Sequence, residues 1–181
     1  MKRQKTFTLD DNDSFFKLTS DYFFKTGFRQ TSRTENQITF KKGSTLRNMV
    51  TFNLLNWKSE VRATLQNDTV MVDFDINTTG QLITPREEKL WDMFIENYKT
   101  SVTDKVDMTS ENQRHLRETK RDNVSYIKWA LIGAIAFGIP FGFLAYFTDI
   151  GILASIGATA GGVSFVTFKI NSERKKNALK Q

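Results

Sequence analysis

Two uncharged stretches near the C-terminal end constrain this chain more than any other feature. Trp129 to Phe147 and Ile150 to Phe168 are runs of 19 residues without one Asp, Glu, Lys or Arg. As α-helix each extends about 28 Å, close to the roughly 30 Å hydrocarbon core of a bilayer. The link Phe147-Thr148-Asp149-Ile150-Gly151 is too short for anything but a tight reversal. The expected unit is therefore an antiparallel transmembrane helical hairpin over 126–170. A helical hairpin buried inside a soluble domain would need a surrounding core, and the charged chain nearby does not supply one.

Charge placement orients the hairpin. Lys128 precedes the first run, and Lys169, Arg174, Lys175 and Lys176 follow the second, while the reversal carries Asp149 and no Lys or Arg. By the positive-inside rule both chain ends are expected in the cytoplasm of a cell membrane crossed twice. Tyr126, Trp129 and Tyr146 suit the interfacial belts. Met1-Lys2-Arg3-Gln4-Lys5 is basic, but no apolar segment follows it, so no cleavable leader is expected.

The chain's net charge of +6 is weighted toward this end, with six Lys or Arg against two acidic residues from 126 onward. That weighting speaks for the lipid bilayer as a partner and against nucleic acid, since the preceding part shows no basic patch. A mean hydropathy of -0.41 averages the polar first part with the apolar runs and describes neither. The lack of cysteine excludes a disulfide-stapled scaffold, a thiol enzyme and a Cys-ligated zinc module. Low Pro, no Cys and abundant Asn, Lys and Ile fit a bacterial source.

Small residues recur at fourfold spacing in the first run, at Ala130, Ala134, Gly138 and Gly142, and in the second at Ala154, Ala158 and Gly162 beside Gly157 and Gly161. Such stripes allow close helix approach where lipid provides no hydrophobic drive. The candidate packing residues are Ala134, Gly138, Gly142, Gly157 and Gly161, used within one hairpin or between protomers of a homo-oligomer. Pro140 removes one backbone donor in mid-run, and a kink near Ala136 is expected.

Residues 1–105 read as a cytosolic α+β domain. Asp13 is the expected cap of a helix from Ser14 to about Thr26, stopped by Gly27. Alternation follows in four sets: Ile38 and Phe40; Val50, Phe52 and Leu54; Val61, Ala63 and Leu65; Val70, Val72, Phe74 and Ile76. Lys5 to Leu9 is a further candidate strand. Lys42-Gly43-Ser44 and Asn67-Asp68 signal turns, and Asn77 to Gly80 closes the last strand. Thr84-Pro85-Arg86-Glu87 is a capping box with Pro at the first helical position, opening a helix that carries Leu90, Trp91, Phe94, Ile95 and Tyr98 on one face.

The expected architecture is an antiparallel sheet of four to six strands with two helices on one face, a polar helical stalk over 106–125 capped by Thr109 or Ser110, the hairpin, and a basic cytoplasmic tail over 171–181. The uncovered sheet face carries Arg62, Thr64, Met71, Asp73 and Asp75, and Arg62, Asp73 and Asp75 are the candidate partner-binding residues.

Chemistry is sparse. The one histidine, His115, falls in the stalk, where a solvated position is expected. Lys42-Gly43-Ser44-Thr45 resembles the end of a phosphate loop but lacks the earlier glycine. Trp57 is expected over the sheet edge. No nucleophile, base and orienting group assemble, so no catalytic residue, cofactor or metal ligand is assigned. The expectation is a non-enzymatic membrane protein whose cytosolic domain binds a protein or small-molecule partner. The alternative is an oligomeric pore or membrane-perturbing protein regulated by that domain, and a third possibility is a membrane-bound enzyme using Asp73 and Asp75.

Overall fold

The computed structural model describes residues 1–44, 54–79, 81 and 83–179. The chain divides into two compact units, Met1–Thr119 and Lys120–Gln181.

The first unit is built on a five-stranded antiparallel sheet in the order β1-β5-β4-β3-β2, from β1 (Lys2–Thr8), β2 (Arg29–Arg33), β3 (Gln37–Lys42), β4 (Ser59–Gln66) and β5 (Thr69–Ile76). Alternation in β4 and β5 sends Val61, Ala63, Val70, Val72, Phe74 and Ile76 to the inner face, all buried. Helices α1 (Phe15–Lys25) and α2 (Pro85–Thr103) supply the other half of that core with Phe15, Tyr22, Phe23, Leu90, Trp91, Phe94 and Tyr98. Arg3 and Lys5 also point inward, but from the edge strand β1, where they reach Asp92 (3.0 Å) and Glu96 on α2.

The local signals act as expected at several joints. Gly27 and Gly43 take positive φ (85° and 72°), as does Asn67 (53°) in the β4–β5 turn. At Gly43 an added Cβ would lie 2.5 Å from the Asn56 carbonyl oxygen, so the close backbone approach also requires glycine. The Thr84–Glu87 box is complete: the Glu87 amide donates to Thr84 Oγ1 (3.3 Å), and the Thr84 amide donates to Glu87 Oε2 (2.8 Å). Such a cap contributes about 1 kcal/mol.

Other elements depart from the sequence reading. β1 begins at Lys2 instead of Lys5, and β2 has no counterpart among the alternating sets. Of the set Val50, Phe52 and Leu54, the first two lie outside the described residues, as does Gly80, and Leu54 opens a short 3-10 turn, Leu54–Asn56. Asp13 does not cap α1. The N-cap position belongs to Ser14, which makes no side-chain cap bond, and Asp11 instead accepts from the Asp13 amide (3.0 Å) and the Ser14 hydroxyl (3.1 Å). Trp57 is 2 % exposed and belongs to the core.

Helix α3 (Thr109–Thr148) starts within the first unit and continues into the second. The stretch read as a solvated stalk has a buried side. Asn112 is 4 % exposed, donates to Tyr22 Oη (2.9 Å) and accepts from Asn97 (2.9 Å), and Tyr22 itself donates to the Phe94 carbonyl (2.7 Å). Met108 and Leu116 pack on the core four residues to either side. Burial pushes the phenols of Tyr22 and Tyr98 well above the usual tyrosine range. Neither Thr109 nor Ser110 caps the helix with its side chain; Asp107 accepts from the Thr109 amide (2.9 Å). Hydrogen bonds from Lys25 and Thr109 hold the Asp107 carboxyl far below its ordinary value.

In the second unit, α3 and α4 (Ile152–Ala178) are long and apolar enough to cross a membrane. They reverse at Asp149, whose φ is 56°.

Candidate functional site

On the outer face of the sheet, strand register sets side chains in rows. The first row runs Lys2, Asp75, Glu60, Lys41, Arg29 across β1, β5, β4, β3 and β2. The second runs Gln4, Asp73, Arg62, Thr39, and the third Thr6, Met71, Thr64, Gln37. Directly paired residues on neighbouring strands share a face and sit within side-chain reach. Arg62, Asp73 and Asp75 are thus brought together, with Arg62 directly opposite Asp73.

Their bonding is less simple than the pairing suggests. Arg62 turns to Glu60 (3.4 Å), which also takes Lys41 (3.1 Å). Asp73 accepts from Gln4 Nε2 (2.8 Å), and neither Asp73 nor Asp75 has an ion-pair partner among the described residues. Glu60 and Asp75 are direct cross-strand neighbours of like charge, an arrangement that opposes sheet pairing. A shallow basin of about 560 Å³ lies over these groups, with Lys2, Arg3 and Gln4 on one side and Glu60 and Arg62 on the other. Sequence reasoning missed Glu60, Lys2 and Gln4. Glu60 was accessible by extending the period of Arg62 and Thr64 back two residues.

His115 is not solvated: its side chain is 16 % exposed, between Glu111 (2.9 Å from Nε2) and Glu118 (3.7 Å from Nδ1). Among the described residues, no group of three or more His, Asp or Glu side chains is arranged to hold a metal ion.

In the hairpin, the candidate packing residues divide. The tightest approach is Gly133 against Gly161, where a Cβ on either would lie 2.2 Å from the other's carbonyl oxygen. Gly157 faces Phe141 and the Phe137 carbonyl, Gly138 faces the Ala158 methyl at 3.3 Å, and Gly162 faces the Ala130 carbonyl with the Ala134 methyl at 4.0 Å. Gly142 faces nothing within 4 Å; with Gly138, Ile139, Phe143 and Tyr146 it lines an open apolar groove. Gly133 was missed because it falls outside the fourfold stripe of Ala130, Ala134, Gly138 and Gly142. At the chain-end side of the hairpin, Glu173 accepts from Tyr126 Oη and pairs with Lys169 (3.2 Å), whose ammonium lies 5.9 Å from the Trp129 ring centroid.

Comparison with known proteins finds no family model that matches the chain and no curated protein similar to it.

Proposed function

We propose that this chain is an integral membrane protein whose α+β unit is a tethered binding module, working through the open face of its sheet. The observation that carries the reading is the basin over Arg62, Asp73 and Asp75: its two aspartates lack ion-pair partners among the described residues. An uncovered sheet face whose charged groups are not all paired with one another gains from a partner of complementary charge. Insertion of the hairpin is supported by its surface, since 11 % of each apolar window is buried and Leu131, Ile135 and Phe143 are about 60 % exposed. The cations flanking the runs favour both chain ends on the cytoplasmic side by the positive-inside rule, and Lys169 and Trp129 suit the interface there.

The test is photocrosslinking in native membranes from position 71, where Met71 is 38 % exposed on the same face. A discrete crosslinked product is expected from the parent, and its loss on combining Arg62→Glu, Asp73→Lys and Asp75→Lys. An unchanged product in the triple variant rejects the sheet-face reading.

A second reading, lateral assembly into a pore, is favoured by the open groove at Gly142. It predicts dye release from liposomes that rises steeply with protein density and falls with Gly142→Val. Liposomes that stay tight at every density remove it.

A further inference from the structure

We propose that the β2–β3 end of the outer sheet face, beside the basin over Arg62, Asp73 and Asp75, is a binding site for a phosphoryl group. The first row of the face changes sign along its length, from Asp75 and Glu60 on the inner strands to Lys41 and Arg29 toward the β2 edge. Arg29 and Lys41 are directly paired across β2 and β3, and like charges in that position destabilise a sheet. Lys41 has Glu60, but Glu60 also serves Arg62, and Arg29 has no ion-pair partner among the described residues. One carboxylate is thus shared by two cations, and the third cation is uncompensated.

These side chains line a depression of about 430 Å³. Arg29 and Lys41 supply two positive charges from the outer face, Ser44 and Asn56 add polar groups, and no carboxylate belongs to the described lining. Lys42, in phase with Ile38 and Phe40, borders the depression from the inner side of β3, where it donates to the Thr26 carbonyl and lies 5.3 Å from the Phe28 ring centroid. Gly27 and Gly43 border the depression in left-handed conformations, so no side chain fills it from either turn. Basic residues on an edge strand also guard against edge-to-edge pairing, which accounts for Arg29 and Arg33. It does not account for Lys41 and Lys42, which lie on the interior strand β3. A planar guanidinium beside an ammonium, in a cleft with no acidic group among its described lining, matches the two or three oxygens of a phosphate monoester or diphosphate. The Lys42-Gly43-Ser44 turn borders this depression.

The ligand is either a soluble phosphoester or a lipid headgroup bearing a phosphomonoester, and one experiment separates them. Full-length protein in phosphatidylcholine nanodiscs is titrated with pyrophosphate at physiological ionic strength. Saturable binding tighter than about 1 mM is expected. Arg29→Gln should weaken it at least tenfold, and Arg29→Lys less. Thermal unfolding of the Arg29 variants should match the parent, because the side chain is exposed. Absence of saturation, or parent-like affinity in both Arg29→Gln and Lys41→Gln, overturns the proposal. If doping the discs with phosphatidic acid displaces pyrophosphate while phosphatidylserine does not, the headgroup is the ligand. Equal affinity in the two doped discs assigns a soluble phosphoester. Pyrophosphate is read directly in this assay, which contains no partner protein, so its failure is distinct from failure of the photocrosslinking test of the basin.

Discussion

Replacing Phe23 with alanine is expected to destabilise the N-terminal unit by about 3–5 kcal/mol, a large part of the stability of a domain of this size. Phe23 is fully buried on the inward side of α1, and the rings of Phe28, Phe40, Phe74, Phe94 and Tyr98 lie with centroids 4.9–6.5 Å from its own. It therefore joins α1 to two strands and to α2 at one point. Truncation removes the transfer free energy of the ring and leaves a cavity walled by other rigid rings, which collapse poorly onto it. Phe24, its neighbour on the helix, is 50 % exposed, so Phe24→Ala should cost well under about 1 kcal/mol. The two variants differ in burial and hardly in composition. Denaturant unfolding of the full chain, followed by fluorescence of Trp57 and Trp91 in a Trp129→Phe background, gives the comparison. Equal midpoints for the two variants would mean that the aromatic cluster is not the centre of the domain's stability.

What the sequence made legible follows a physical division. Elements that bury one regular face were readable: β4 and β5 from their alternation, α1 and α2 from helical spacing, and the start of α2 from the Thr84–Glu87 box. β2 was not, because Arg29–Arg33 is exposed throughout and buries nothing that would leave an apolar pattern. The start of α3 was misread for a related reason. Its docked side uses Asn112, satisfied by Tyr22 and Asn97, where a pattern search looks for a large apolar residue. The cap expected of Asp13 did not form, since Ser14 holds the N-cap position without a side-chain bond and Asp11 ties the Asp13 amide and the Ser14 hydroxyl together ahead of the helix. On the sheet face, period two placed Arg62, Asp73 and Asp75 together, but strand order is a property of the folded sheet. The rows that join β1 to β5 and carry the sign change toward β2 could not be read from one strand at a time.

Substituting Gly161 with valine is expected to open the hairpin, and it is the largest effect predicted for the second unit. A Cβ at this position would lie 2.2 Å from the Gly133 carbonyl oxygen and 2.7 Å from the Phe137 Cβ. The first obstacle is backbone, so no rotamer change relieves it, and the helices must move apart along the seam. Separation loses the close van der Waals contact on which helix association in lipid depends. It also strains the link between Tyr126 and Glu173 at the chain-end side. The chain has no cysteine, so an introduced pair gives a clean reporter. A Cβ at position 138 would lie 3.3 Å from that of Ala158, near the roughly 3.5–4.5 Å that a disulfide spans. Gly138→Cys with Ala158→Cys should therefore crosslink rapidly within one chain under mild oxidation in nanodiscs. Adding Gly161→Val should slow that closure at least tenfold, whereas adding Gly142→Val should leave it unchanged, because nothing lies within 4 Å of Gly142. Two further outcomes are informative. Rapid closure despite Gly161→Val would show that Gly133 and Gly161 do not set the helix spacing. Slowing by Gly142→Val would place that residue inside the seam, and with it remove the structural ground for lateral assembly through the open groove.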